Sequence, residues 1–199
     1  MKIKFLTNEK GYEVVKVFKE SFYDYPVMKY ILGEKSEYNE RLNKLIEFFV
    51  AARIYRREPI IGIYTKKFLA GAAVVTLPGN IQTSEKLNEH RITLWKELGT
   101  EEQNRYEKYG KAAADLMPEE PHHHLNMIGV LPLYQGKNFA RKLISEVYNL
   151  VEADSHSSGL SLSTETESNV KLYLHLGFEM IGETKVENNL TTWAFFKKN

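Results

Sequence analysis

The sequence predicts an α/β (α+β) domain in which helices flank a mixed β-sheet. Three observations carry that expectation. Helix-period and strand-period apolar patterns interleave along the chain. Two β-rich runs, residues 60–64 and 68–76, are joined only by Thr65-Lys66-Lys67, as in a hairpin. From His122 onward the order is strand, glycine-containing loop, helix, strand, which implies a right-handed crossover and local parallel or mixed pairing.

Each element has its own signal. Residues 1–6 alternate and read as a strand. A helix is expected from about Tyr12 to Phe22, with Val14, Val15, Phe18 and Phe22 at helical spacing, and Asp24 and Pro26 break it. A second helix runs from about Tyr38 to Arg53, with Leu42, Leu45, Ile46 and Phe49 on one face, and Pro59 stops that region. Pro78-Gly79 ends the hairpin. Residues 80–121 read as a helical insertion that covers something. Leu87, Leu94, Trp95 and Leu98 suit one helix closed by Gly99. Thr100 and Gln103 look like a capping box opening another, which ends before Pro118. The last third predicts a strand over 122–130, a helix over about 136–151, a strand over 159–163 and a short helix ending at Gly177. Two more strands, 181–184 and 190–197, close the chain.

Composition narrows the function. The 199 residues are 43% hydrophobic, which suits a single domain with a sizeable core. Charged residues make up 27% and cancel to +1, so neither nucleic acid nor an anionic membrane is an expected partner. There is no cysteine, which removes disulfides, thiolate metal sites and a cysteine nucleophile, and fits a cytoplasmic protein. Residues 1–12 carry four charges and no long apolar run, so no signal peptide is expected. No uncharged apolar stretch approaches the ~18 residues of a membrane helix.

Two segments carry chemistry. In the first, Ile128 to Ala140, a strand runs into a glycine-containing loop that opens a helix. Backbone N–H groups at a helix start have no intrahelical partner, and the helix dipole adds positive potential, so a phosphate can sit there. Lys137 can add a full charge at the rim. A plain crossover turn has the same local pattern. No Gly-x-x-x-x-Gly-Lys-Ser/Thr run is present, which argues against a nucleotide P-loop.

Gln135-Gly136-Lys137-Asn138-Phe139-Ala140 resembles the acetyl-CoA signature of the GNAT family of N-acetyltransferases, Gln/Arg-x-x-Gly-x-Gly/Ala. Gln135 and Ala140 fit its fixed positions. Asn138 stands where the family usually has glycine, and asparagine tolerates the left-handed conformation better than most residues. The second segment, Leu162 to Phe178, is similar to the family in its strand, its Asn169-x-x-x-Tyr173 helix and its Gly177-Phe178 pair. The spacing between the two segments is also the family's, and the resemblance covers residues 122–197. The His122–Gly129 run, Glu165-Thr166 and the helical insertion are similar to the puromycin N-acetyltransferase-like branch.

The resemblance implies a central mixed, mostly antiparallel sheet with a parallel splayed pair, and acetyl-CoA as cosubstrate without a metal. It implies cofactor contacts from Ile128, Gly129, Val130, Gln135, Gly136, Lys137, Asn138, Phe139, Ala140, Asn169 and Tyr173, with the strand before the loop bulged. Tyr173 becomes the candidate acid for the leaving thiolate, although a tyrosine on an apolar helix face is also ordinary core. Thr166 and Ser168 are candidate caps beside Asn169.

Glu165, at a strand end, is the second candidate catalytic residue. It can deprotonate the amine, hold a cationic substrate, or be a solvated carboxylate. His122 and His124 share a strand face at a metal-binding spacing, but no further ligand is evident and no metal is expected. One of the histidines, with Trp95, Tyr106 and Tyr109, can instead line an acceptor pocket. The expected activity is direct acetyl transfer to an amine of a small molecule or protein. The alternative is a non-catalytic acyl-CoA-binding regulatory module. An exposed C-terminal strand leaves room for a homodimer.

Overall fold

The computed structural model describes residues 1–34, 36–79, 83–187 and 190–199. Strand β1 (Lys2–Phe5) leads to helices α1 (Gly11–Ser21), α2 (Pro26–Leu32) and α3 (Tyr38–Tyr55). The hairpin β2 (Ile60–Thr65) and β3 (Phe68–Thr76) follows, then helices α4 (Glu85–Leu98) and α5 (Thr100–Ala114). The remainder is β4 (His123–Val130), α6 (Phe139–Glu152), β5 (Gly159–Thr164), α7 (Glu167–His175), β6 (Glu179–Glu187) and β7 (Leu190–Lys198).

The strands form one sheet in the order β1-β2-β3-β4-β5-β7-β6. All neighbours are antiparallel except β4 and β5, which pair in parallel only from His123↔Leu160 to Leu125↔Leu162. Beyond Leu125 and Leu162 the two strands part, so the expected splayed pair is present. This is the GNAT-like mixed sheet that the sequence implied.

Strand alternation divides the core between the two faces of the sheet. On one face Ile60, Ala72 and Val74 join Phe18 of α1 and Leu42, Leu45 and Ile46 of α3. On the other, Ile61, Ala73, Val75, Leu125, Leu160 and Leu162 pack on Leu143, Ile144, Val147 and Val151 of α6. The apolar stripes of α1, α3 and α6 read from the sequence are therefore their buried faces.

Three local expectations need correction. Pro26 does not merely break a helix; it is the first residue of α2, where its missing N–H costs nothing, and Tyr25 precedes it. Thr100 is not a cap. Gly99, at φ 112°, both ends α4 and begins α5, so Thr100 is already helical. Ser84 is the capping residue of the insertion, accepting a bond from the Leu87 N–H at 3.2 Å. The C-terminal strand is not an edge: β7 lies between β5 and β6, and the edges of the sheet are β1 and β6.

Helix α5 is clamped to its neighbours by charge. Glu102, 2% exposed, takes Arg41 of α3 at 2.7 Å and Arg105 at 3.3 Å. Arg105 also donates to the Ile31 carbonyl of α2 at 2.9 Å. No helix among the described residues is long and apolar enough to cross a membrane.

Candidate active site

The site begins where β5 leaves β4. Val75 pairs with Leu125 and Val74 with Met127, so Asn126 is an extra residue and β4 bulges there. Arg53 of α3 donates to the Asn126 and Thr76 side chains and pairs with Glu58 at 2.8 Å, which fixes the bulge from the α3 side. The bulge sits just before the expected 128–130 segment, which itself runs in register with β3. The Leu131 N–H bonds the Ala70 carbonyl at 2.9 Å. By alternation, the peptide groups of Ile128 and Val130 turn away from β3 into the splay. The Val130 carbonyl there accepts the Gln135 side-chain amide at 3.0 Å. Gly129 serves a close approach: a Cβ on it would stand 2.9 Å from Phe18 and would strike Ser21 of α1.

The loop after β4 turns through two left-handed residues, Gly136 at φ 72° and Asn138 at φ 61°. Asn138 thus takes the conformation that glycine would supply, and α6 starts after it at Phe139 rather than at Gly136. The first intrahelical bond runs from the Lys142 N–H to the Asn138 carbonyl at 3.1 Å, and the Asn138 side chain makes no capping bond. The N–H groups of Phe139, Ala140 and Arg141 therefore remain open at the helix start. Tyr134 and Phe139 stack at 5.8 Å and 3°, stiffening the loop. Lys137 folds back, donating to the Leu133 carbonyl at 3.0 Å and lying 5.4 Å over the Tyr134 ring.

Across the splay, α7 presents Asn169 and Tyr173. Asn169 donates to the Thr164 hydroxyl at 3.2 Å, while Thr166, at the N-cap position, makes no side-chain capping bond. The helix closes in a Schellman motif. The Phe178 N–H bonds the Tyr173 carbonyl at 3.1 Å, the Gly177 N–H bonds Leu174 at 3.0 Å, and Gly177 stands at φ 82°. The accompanying apolar contact is Phe178 against Tyr173 itself, edge-on at 5.9 Å, with Phe195 at 5.5 Å. The tyrosine ring is held by Phe178 and Phe195 and is only 5% exposed. Burial, and then the nearby Glu165 carboxylate, push its pKa up, so the phenol keeps its proton and acts as a donor.

Tyr173, Asn169 and Ile128 form part of the wall of one cavity of about 420 Å³. Glu165 lies in the same wall and is 7% exposed. It is not a solvated carboxylate. Tyr109 of α5 donates to its Oε1 at 2.9 Å and Thr192 of β7 at 2.7 Å. The Tyr25 hydroxyl accepts the Glu165 backbone N–H at 3.2 Å and lies 3.0 Å from the Thr164 hydroxyl. Burial raises the Glu165 pKa, and the Thr192 and Tyr109 bonds only partly oppose it. His124 also lines the cavity, with Nδ1 2.8 Å from the Ser161 hydroxyl. Burial lowers its pKa to about 4, so its imidazole is neutral at pH 7. His122 turns its Nδ1 to the Glu120 carbonyl instead, at 2.7 Å.

Tyr106 and Tyr109 line the cavity as the sequence suggested, so α5 covers this site. Trp95 stands behind the wall, 5.0 Å from the Tyr106 ring. Sequence reasoning missed Tyr25, Arg53, Asn126 and Thr192. Their roles come from contacts between segments far apart in the chain, and only the Tyr25-Pro26 junction carried a local sign, as the residue before a proline that opens a helix.

Residues 100–197 match the profile of the acetyltransferase (GNAT) domain, so this part of the chain carries a GNAT-family domain. No curated protein matches the chain in sequence. Its fold is similar to that of a Corynebacterium glutamicum protein described as histone acetyltransferase HPA2 and related acetyltransferase. That match has a TM-score of 0.73 and 17% identity, covering 98% of this chain and 94% of that one. It is also similar to arylalkylamine N-acetyltransferase 2 of Aedes aegypti, with TM-score 0.65, 17% identity and coverage of 99% and 98%. Salmonella typhimurium yncA, solved with its cofactor acetyl-CoA, matches with TM-score 0.54, 14% identity and coverage of 100% and 93%. At such identities the likeness is one of fold.

Proposed function

We propose that the chain is an acetyl-CoA-dependent N-acetyltransferase that carries the acetyl group directly to an amine seated in the cavity. One observation carries this reading: a buried phenol donor, Tyr173, and a buried carboxylate, Glu165, share one cavity that adjoins the open edge of β4. The open N–H groups at the start of α6 suit a pyrophosphate, and the peptide groups of Ile128 and Val130 that face the splay, beside the Gln135 amide on the Val130 carbonyl, suit a pantetheine arm. No side chain would be displaced at the loop, since a Cβ on Gly136 would meet nothing within 4 Å.

Bound acetyl-CoA supplies an activated acyl carbon, to which the amine nitrogen bonds as the C–S bond breaks and CoA leaves as the thiol. Glu165, once ionised, accepts one proton from the incoming ammonium, which frees the nitrogen lone pair. Tyr173 gives its phenolic proton to the departing sulfur and regains one from the nitrogen through solvent. The net release is one proton for each amide formed. The chain has no cysteine to carry an acyl intermediate, in keeping with direct transfer.

The test is thermal unfolding with acetyl-CoA, with CoA and ATP as controls, followed by thiol release with added amines. Saturating acetyl-CoA, at ~100 times its Kd, is expected to add about 2.7 kcal/mol. A shift without thiol release from any amine would favour a binding module, and no shift at millimolar cofactor would refute the placement of acetyl-CoA.

A further inference from the structure

We infer that the acceptor is a primary monoamine on an apolar body, aromatic or alkyl, rather than a polyamine, an aminoglycoside or a protein lysine. The inference rests on the acetyltransferase reading and adds the substrate class.

Charge within the wall is the first argument. Among the described residues only two charged side chains line the cavity, Arg53 and Glu165. Arg53 already has a counter-ion, the enclosed Glu58 carboxylate at 2.8 Å. Glu165 is held by two hydroxyl donors, Tyr109 and Thr192, and no described cation lies within ion-pair distance of it. The wall therefore offers one place for one ammonium group. A second ammonium would enter a low-dielectric space without a carboxylate and in the company of Arg53, which is costly.

The body of the ligand is set by the rest of the wall. Phe22, Met28, Ile31, Phe49, Met117 and Met127 give it an apolar lining, with thioethers that adapt to shape. Polar side chains also line the wall, but Tyr25, Tyr109, His124, Asn126 and Asn169 are already hydrogen-bonded within the protein, so a sugar or a peptide backbone would bring more hydroxyl and amide groups than the wall can pair. The volume of about 420 Å³ suits a small molecule, as such sites run to roughly 300–1,000 Å³.

The mouth adds an independent sign. Gly110 and Ala114 are exposed, lie one turn apart on α5, and line the cavity. Glycine inside a helix is disfavoured against alanine. A Cβ at Gly110 would meet nothing within 4 Å, so no neighbouring element requires the glycine. Its effect is to keep the entrance wide enough for a ring.

The test measures binding and turnover separately. With CoA present, phenethylamine, hexylamine, spermidine, kanamycin and a lysine-containing peptide are titrated by calorimetry. Thiol release from acetyl-CoA is then followed with each, without background from protein thiols. The two apolar amines are expected to bind at least tenfold more tightly than the others. Glu165→Gln is expected to weaken phenethylamine at least tenfold while leaving phenethyl alcohol, its uncharged analogue, unchanged. Gly110→Leu is expected to weaken phenethylamine more than hexylamine and to leave acetyl-CoA affinity as it was. Tighter binding of spermidine, kanamycin or the peptide, or no binding of either apolar amine, would overturn the inference. Binding of the apolar amines without thiol release would uphold the acceptor class and defeat the acetyltransferase reading instead.

Discussion

Along β4, its loop and the start of α6, the groups that suit a cofactor are peptide N–H and C=O groups from one continuous stretch of about a dozen residues. In the cavity they are side chains from all over the chain: Tyr25, Arg53, Tyr109, His124 and Glu165, with Thr192 bonded to Glu165 from behind the wall. The first region depends on backbone conformation and tolerates changes of side chain. The second depends on burial, which alters the acid–base character of each group it encloses. Peptide groups do not titrate, whereas buried phenols, carboxylates and imidazoles do so far from their ordinary ranges.

The largest expected effect separates chemistry from binding. Tyr173→Phe deletes one hydroxyl and keeps the ring against Phe178 and Phe195. Turnover is expected to fall roughly 10²-fold or more, as for loss of a general acid. The Kd for acetyl-CoA, measured by calorimetry, is expected to change less than about twofold, since the backbone half is untouched. Equal losses in both, or in neither, would remove Tyr173 from the acid role.

A smaller effect should expose the burial of the second region. The His124 imidazole has its pKa lowered from 6.5 to about 4. Between those values the unfolded chain holds a proton that the folded chain does not. Stability from this residue is therefore present above pH 6.5 and is lost as pH falls toward 4. The full shift is worth at most about 3 kcal/mol. Glu165, whose pKa is raised, acts in the opposite sense: it costs stability as pH rises above the ordinary carboxylate range. Urea midpoints of the parent and His124→Gln, followed from pH 7 to 4.5, test the first point. The parent is expected to lose ground to the variant on acidification. A constant difference would mean that His124 is solvated rather than buried.

The same contrast explains what could be read from the sequence. The loop, the left-handed Asn138, the Asn169/Tyr173 pair and the Gly177 cap were legible because each depends on neighbours a few residues away. The apolar faces of α1, α3 and α6 were legible for the same reason, as periodicity is local. The hydroxyls on Glu165 were not, because Tyr109 and Thr192 approach it from different elements. Its environment is decided by how α5 and β7 pack, which no spacing rule reports. Helix α2 was missed because a proline reads both as a breaker and as a helix opener.

The smallest expected effect bears on whether the first region is truly a backbone device. Asn138→Gly and Asn138→Ala both delete the side-chain amide, but only glycine adopts the φ of 61° without strain. For alanine that conformation costs about 1–2 kcal/mol. If the open N–H groups of α6 hold the pyrophosphate, Asn138→Gly is expected to keep acetyl-CoA affinity within about threefold of the parent. Asn138→Ala is expected to lose about tenfold, the equivalent of ~1.4 kcal/mol. The parallel loss of stability in Asn138→Ala is read from its unfolding midpoint. Equal loss of affinity in the two variants would assign the contact to the asparagine side chain. The family's usual glycine would then be replaced here by a ligand group, and the two halves of the site would differ less than their geometry suggests.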